Sequence, residues 1–371
     1  MKKKKVLLIA YNNLGKGGIQ NQIVGIIRTL KDSVSFDVVV WDEVKDYYTH
    51  ELEIYGVNII RCFRCVGEST LRKKMDAFVR YRDIRKTIDR VIRENGPYDA
   101  IHCNNAYDAA PCLDAAFHAG IPVRISHAHN VENPAFRKKK TYLAYQLLYA
   151  HHRKKIHQFA THMIGCSCQV TDYFFGKGIG MVVHIGIDLC EFEKTGRSKK
   201  NAEPFALLHV GNMSQQKNQP FLVEIMEKLI KLRTDVRLNM IGDGPWANKV
   251  RELISQKNLE SYISILPSNT NVPQAMAEAA LFVFPSTFEG FGIVLIEAQS
   301  VGLRCLASDV VSPEANCGGI SYLPLEAGAT YWAERISCML DENCDADVSY
   351  DVSGFSVENM ANEMLSMYMG V

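Results

Sequence analysis

Short apolar runs alternate with longer stretches of helical periodicity along almost the whole chain. Lys5-Val-Leu-Leu-Ile-Ala10 reads as a first buried strand, and Gly17-Gly18-Ile-Gln20 opens a helix running to about Leu30. Apolar runs at 36–41, 57–60, 98–102, 123–127 and 162–166 read as further strands. Helical patterns at 73–94, 107–119, 138–158 and 169–175 lie between them. The rhythm then restarts, with strands at 205–210, 236–241, 263–266, 280–284 and 303–308. Its helices fall at 219–231, 246–256, 273–279 and from 293 onward. Strands that are apolar throughout, separated by helices, belong to parallel sheets covered on both faces. The expected fold is therefore α/β, with two Rossmann-like domains at 1–190 and 200–350. The polar stretch Gly196-Arg-Ser-Lys-Lys-Asn-Ala-Glu-Pro204 is the linker candidate. A last helical pattern covers 356–369.

The run Ser286-Thr-Phe-Glu-Gly-Phe-Gly-Ile-Val-Leu-Ile-Glu297 carries the clearest candidate chemistry. A strand ends at Pro285, a turn bears Gly290 and Gly292, and a helix begins near Ile293. The N–H groups of Phe291, Gly292 and Ile293 would lack intrahelical acceptors, which favours an anion such as phosphate. The glycines permit close backbone approach. Glu289 on the turn and Glu297 inside the helix would accept hydrogen bonds from two separate sets of hydroxyls. A sugar nucleotide has that layout of sugar, diphosphate and ribose. The same spacing also fits a plain helix start, with Glu289 near the dipole and Glu297 exposed.

Three further segments sit where strands give way to helices. Tyr11-Asn-Asn-Leu-Gly-Lys-Gly-Gly18 is a glycine loop matching neither common phosphate-loop spacing, and an ordinary βα turn explains it nearly as well. His127-Ala-His129-Asn130 ends a strand, where a ligand crevice is expected in an open α/β sheet. A His capping the strand end is the plainer alternative. In Gly211-Asn212-Met-Ser-Gln-Gln-Lys217-Asn218, Lys217 offers a point charge for a leaving diphosphate, or is an exposed loop lysine. Gly242-Asp-Gly-Pro245 reads as a structural turn.

Composition narrows the classes. With 371 residues and 47% hydrophobic content, each half can bury a core. No apolar run reaches the ~18 residues of a membrane span, and the short run after Lys2–Lys5 is too brief for a signal peptide. Cys62 and Cys65 are spaced C-x2-C without a matching second pair, so no zinc site is expected and the 11 cysteines read as reduced thiols of a cytoplasmic protein. The net charge of +1 hides an asymmetry. Residues 1–185 hold 28 Lys and Arg against 17 Asp and Glu, and the remainder is acidic. Basic clusters at 2–5, 72–74, 137–140 and 153–155, with Arg82, Arg85, Lys86, Arg90 and Arg93 on one helix, suit an anionic membrane surface or a lipid-phosphate acceptor. They equally suit a solvated helical face. No nucleic-acid motif accompanies them.

Taken in order, these segments resemble glycosyltransferase family 4, the retaining enzymes of GT-B fold, and especially its bacterial exopolysaccharide and capsule branch. The resemblance rests on Gly17-Gly18, His127-Ala-His-Asn130, Gly186-Ile-Asp188, His209-Val-Gly211 with Lys217-Asn218, Ile241-Gly-Asp-Gly-Pro245, Pro285-Ser286, Glu289-Gly-Phe-Gly292, Glu297-Ala298, Gly302-Leu303 and Ser308-Asp309. It implies two Rossmann-like domains facing across a cleft, with the helix at 356–371 packing back on the first. It implies that Glu289 and His129 contact the donor sugar, that Lys217 neutralises the departing diphosphate, and that Glu297 binds the ribose. Gly290, Phe291 and Gly292 would offer backbone contacts, Gly17 and Gly18 would approach the diphosphate and acceptor, and the base would lie near Leu266–Ser268. Two positions depart from the pattern: Asn212 stands where an Arg is frequent, and Ile185 where an Asn is frequent.

The resulting expectation is a retaining hexosyltransferase moving a sugar from a nucleotide-sugar, most naturally a UDP-sugar, to a glycan or polyprenyl-diphosphate-linked acceptor in surface polysaccharide synthesis. It needs no cofactor and no metal, because cations and N–H groups can take the developing charge. It would act in the cytoplasm, at the inner membrane face, with no nucleic acid involved. Alternatives on the same fold are a nucleotide-sugar epimerase or hydrolase, and a non-catalytic subunit supporting another transferase.

Overall fold

The computed structural model describes residues 3–10, 14, 15, 17–41, 47–62, 72–134, 137, 142–193, 195, 204–342 and 349–370. The chain divides into one unit of residues 1–187 plus 355–371 and a second of residues 188–354. Residues 196–203 of the expected linker lie outside the described residues, as do 11–13 and 16 of the first glycine loop, Cys65 and Lys138–Lys140.

In the first unit the strands are β1 (Lys4–Ile9), β2 (Val34–Val40), β3 (Asn58–Arg61), β4 (Ala100–Cys103), β5 (Val123–Ala128), β6 (His162–Gly165) and β7 (Met181–Val182). Its helices are α1 (Gly18–Leu30), α2 (Thr49–Ile54), α3 (Arg72–Asn95), α4 (Ala109–His118), α5 (Tyr142–Phe159) and α6 (Cys168–Phe175). The strands form one parallel sheet in the order β3-β2-β1-β4-β5-β6-β7. Central strands are buried on both faces, which is why they read as largely apolar runs.

The second unit holds α7 (Leu189–Glu193), then β8 (Phe205–Val210), α8 (Gln219–Leu229), β9 (Val236–Ile241), α9 (Ala247–Gln256), β10 (Ile263–Leu266) and α10 (Val272–Glu278). It continues through β11 (Leu281–Phe284), α11 (Ile293–Ser300), β12 (Cys305–Ser308), β13 (Ile320–Leu323) and α12 (Gly328–Asp341). Its sheet is also parallel, in the order β10-β9-β8-β11-β12-β13. Both sheets place their first and fourth strands side by side, β1 beside β4 and β8 beside β11. That reversal of strand order is the switch point, and ligands of open α/β sheets bind at the strand carboxyl ends there.

The last helix, α13 (Val357–Met369), belongs to the first unit. Met360, Ala361, Met364, Met367 and Tyr368 join Ile23, Ile26, Ile27 and Leu30 of α1 over Val6 and Leu8 of β1. Each fully buried apolar side chain contributes about 1.5–3 kcal/mol, so this face is enough to hold the helix. The segment after β7 clamps its start. Ile187 N–H donates to Phe355 C=O at 2.9 Å, and Val357 N–H donates to Ile187 C=O at 2.9 Å. A Cβ on Gly186 would lie 2.5 Å from Ser356 O, so only glycine fits there. The Gly186-Ile-Asp188 motif therefore begins as a packing device.

Five elements were not expected from the pattern. β7 has two residues and α7 five, too few for any period to show. α2 is a six-residue helix that buries only Leu52. β13 is an edge strand with one buried residue, so its apolar signal is thin. α12 does carry a helical face, Trp332, Ala333, Ile336 and Met339, which packs on α8.

Candidate active site

The second unit builds its site from two loops at the switch point. From β8 the chain runs through Gly211–Asn218 into α8, and from β11 it runs through Pro285–Gly292 into α11. The loops are stitched by backbone and side chain. Thr287 N–H donates to Gln216 C=O at 2.8 Å, and Asn218 Nδ2 donates to Pro285 C=O at 3.2 Å. Lys217 Nζ donates to Glu289 Oε1 at 2.6 Å, and Gln216 Nε2 donates to Glu289 Oε2 at 3.2 Å. Lys217 also sits 4.5 Å from the centre of the Phe284 ring, a cation–π contact. The side chains of Lys217 and Glu289 are 18% and 6% exposed, so this is a nearly desolvated ion pair.

A third loop supports the first. Met213 N–H donates to Asp243 C=O at 2.8 Å, and Trp246 N–H donates to Met213 C=O at 3.0 Å. Gly242 has φ +143° and a Cβ there would lie 2.2 Å from Gly211 O. The Gly242–Pro245 turn is thus a shelf pressed against the Lys217 loop. Below it, buried His209 contacts Val283 C=O through Nδ1 at 2.9 Å and the Gln219 amide through Nε2 at 3.2 Å. Gln219 in turn donates to Asn212 C=O at 3.2 Å and accepts from Ser214 N–H at 3.2 Å. Gln216 and Gln219 escape sequence reasoning, and His209 entered it only as part of the His209-Val-Gly211 motif, with no role given to its side chain.

α11 opens at the same crevice. Gly292 precedes it with φ +90°, a left-handed conformation that favours glycine. Phe291 and Gly290 are buried beside it. The first N–H groups of α11 have no acceptor within the helix. Glu297, in the second turn, is half-buried, and among the described residues no hydrogen bond reaches its carboxylate. Burial, reinforced by the Glu191 carboxylate of α7 and opposed by Lys217, pushes its pKa up to about 7. Asn212 and Ser268 are exposed, Ser268 in the turn after β10.

The raised pKa has a definite sign for stability. An unfolded Glu ionises near ~4.3, so between that pH and about 7 the folded protein binds the extra proton. The favourable contribution is present at low pH and is lost as pH rises towards 7. Unfolding midpoints of wild type and Glu297→Gln at pH 5 and pH 8 check this. The midpoint of Glu297→Gln relative to wild type should rise between the two; a constant difference would refute the shift.

The first unit carries the remaining candidates. His129 follows β5, and its Nε2 meets Asn104 Oδ1 of the β4 end at 2.8 Å. Burial lowers its pKa to about 3, so it is neutral. Gly17 and Gly18 stand at the start of α1. A Cβ on Gly18 would meet nothing within 4 Å among the described residues, so packing against these does not account for that glycine. Asn104 and His102 were not singled out by sequence, although alternation along β4 puts them on one face.

Residues 204–342 match the family model described as Glycosyl transferases group 1. The second unit contains a glycosyl transferases group 1 domain. Similarity extends over the rest of the chain. EpsF of Bacillus subtilis (strain 168), named as a glycosyltransferase, is 28% identical over 351 residues, covering 90% of this chain and 87% of that protein. An Escherichia coli UDP-Gal:alpha-D-GlcNAc-diphosphoundecaprenol alpha-1,3-galactosyltransferase is 25% identical over 227 residues, 57% of this chain and 58% of its own. The crystal structure of Anabaena HepE in complex with UDP and glucose superposes with TM-score 0.74 at 15% identity, each chain covered completely. The fold is GT-B, two Rossmann-like halves of which the group 1 domain is the second. Lys217, Glu289 and Glu297 all lie inside the group 1 domain. Among the described residues no helix is long and apolar enough to cross a membrane.

Proposed function

We propose that this glycosyltransferase is a retaining hexosyltransferase that moves a sugar from a UDP-sugar to a glycan or polyprenyl-diphosphate-linked acceptor in surface polysaccharide synthesis. The observation that carries the reading is the buried Lys217–Glu289 pair at the switch point, beside the start of α11. One cation, one carboxylate and a set of helix-start N–H groups there match diphosphate and sugar hydroxyls together. The name of the E. coli relative supports the donor class and the acceptor class.

In this reading Glu289 accepts from hydroxyls of the donor sugar, His129 contacts the same sugar, and Glu297 takes the ribose hydroxyls. Gly290, Phe291 and Gly292 approach the diphosphate by backbone, Asn212 lies beside it, and Ser268 flanks the base. Gly17 and Gly18 admit diphosphate and acceptor. The acceptor hydroxyl attacks the anomeric carbon from the face the diphosphate leaves, and its proton passes to the leaving phosphate oxygen. Lys217 and the N–H groups of α11 stabilise the charge that develops on that oxygen, so no metal or other cofactor is required. Before donor arrives, Lys217 is held by Glu289; the diphosphate shares that cation on binding. The excess of Lys and Arg in residues 1–185 suits an acceptor carried on an anionic membrane face in the cytoplasm.

The test is to incubate the full chain with a panel of UDP-hexoses and UDP-N-acetylhexosamines, with and without a polyprenyl-diphosphate sugar. UDP release that requires acceptor and persists in excess chelator, with the donor's anomeric configuration kept in the product, is the expected result. A sugar nucleotide altered without acceptor would make it an epimerase or hydrolase instead. No binding of UDP by calorimetry would make it a non-catalytic partner.

A further inference from the structure

One face of β4 and β5 holds a ladder of polar side chains deep in the first unit. His102 lies on β4 with Asn104 just past its end, and His127 lies on β5 with His129 just past its end. The lower rung joins His102 Nε2 to His127 Nδ1 at 3.0 Å, with the two rings nearly parallel. The upper rung joins Asn104 to His129. The His127 and His129 ring centres are 4.1 Å apart, so the rungs touch. The lower rung is anchored at both ends. His102 Nδ1 meets the Tyr368 hydroxyl of α13 at 2.7 Å, and His127 Nε2 meets the Gln22 amide of α1 at 3.4 Å. A chain of four buried polar groups therefore runs from the last helix, through two strands, to the first helix.

The direction of its protons follows from counting partners. If Gln22 donates to His127, each following proton points towards Tyr368. The Tyr368 O–H then has no acceptor, and Gln22 Oε1 is buried without a donor. If Tyr368 donates to His102 Nδ1, then His102 Nε2–H donates to His127 Nδ1. His127 Nε2–H then donates to the Gln22 carbonyl, after an amide flip that coordinates alone do not decide. That arrangement leaves one unsatisfied group instead of two, and each costs about 1–3 kcal/mol when buried. Both imidazoles are then neutral Nε2–H tautomers. Burial enforces neutrality, since it lowers the pKa of His102 to about 3 and that of His127 well below its ordinary value.

We propose that Tyr368, His102 and His127 are positioning residues for His129: the chain from Tyr368 fixes the tautomer and plane of His127, and the His127 ring fixes the plane of His129. His129 is held by that stack and by Asn104, and among the described residues its buried Nδ1 has no partner, so this is the ring nitrogen that a substrate hydroxyl would have to meet. The C-terminal helix thereby sets the geometry of a residue 239 positions earlier in the chain. The functional part of this inference rests on the role given to His129 above; the tautomer part does not.

Tyr368→Phe is the appropriate probe. It removes one oxygen and keeps the ring packed edge-on against Phe36. The first readout is the ring nitrogen spectrum of 15N-histidine-labelled full chain at pH 7, assigned through single His variants. Wild type should show His102 and His127 as Nε2–H tautomers. Tyr368→Phe should turn them into mixtures and move the His129 resonances. The second readout is kinetic. In Tyr368→Phe and His127→Phe, kcat for sugar transfer should fall about tenfold while the Kd for UDP stays within twofold. A purely structural role would lower the folded fraction, and the calorimetric stoichiometry for UDP would then fall in step with kcat. Nδ1–H tautomers in wild type, or unmoved His129 resonances in Tyr368→Phe, would overturn the proposal. If wild type transfers no sugar, the proposed function fails, and the spectra still decide the positioning claim.

Discussion

Glu289→Gln should lower kcat/KM for sugar transfer by about 10²–10³ and at the same time tighten UDP binding several-fold. The first effect is the loss of a charged acceptor facing hydroxyls whose polarity rises in the transition state; a comparable preorganised hydrogen bond is worth about 3–4 kcal/mol. The second follows from the ion pair. Lys217 spends its charge on Glu289 at 2.6 Å when no ligand is bound. A neutral amide releases that charge to the diphosphate, and UDP carries no sugar to miss the carboxylate. Steady-state kinetics and calorimetry with UDP measure the two. Wild-type turnover in Glu289→Gln would remove Glu289 from the mechanism. Weaker UDP binding would mean that Lys217 and the diphosphate do not meet.

The opposite signs of those effects come from a contact that no sequence spacing discloses. Lys217 and Glu289 are 72 positions apart, and each sits on a loop that a motif could flag separately. Their meeting depends on β8 and β11 being neighbours, which is a consequence of strand order. The strands themselves were legible because burial on both faces leaves few polar residues to interrupt them. The register between sheet and loops was not, because it is written in backbone bonds such as Thr287 to Gln216. Glu297 illustrates the same limit. Its place on a helix was legible, but its raised pKa depends on burial and on Glu191 from α7, a five-residue helix with no readable period. His102 read as an ordinary strand residue, since its partner Tyr368 lies 266 positions away. Where a feature is local in sequence, pattern suffices; where it is a meeting of remote loop ends, topology decides.

Lys217→Met should cost about 2–3 kcal/mol of stability and lower kcat/KM by about 10²–10³, and adding Glu289→Gln should restore most of the stability and none of the activity. Methionine keeps an apolar stem against the Phe284 ring but strands the carboxylate of a residue that is 5% exposed, with Gln216 as its remaining side-chain donor among the described residues. Breaking a buried ion pair from one side costs about 3–5 kcal/mol when both groups are fully desolvated. The partial exposure of Lys217 places the expected loss below that range. In the double variant no buried charge remains, so the desolvation cost disappears. Activity behaves differently, because the two residues act on one transition state and their losses do not add. The double variant should therefore be about as slow as the slower single one. Urea unfolding and turnover of the three variants complete the cycle. If the double variant were as unstable as the two single losses combined, the pair would not be what ties the β8 and β11 loops together. If it were more active than Lys217→Met, the cation would serve Glu289 alone and not the leaving diphosphate.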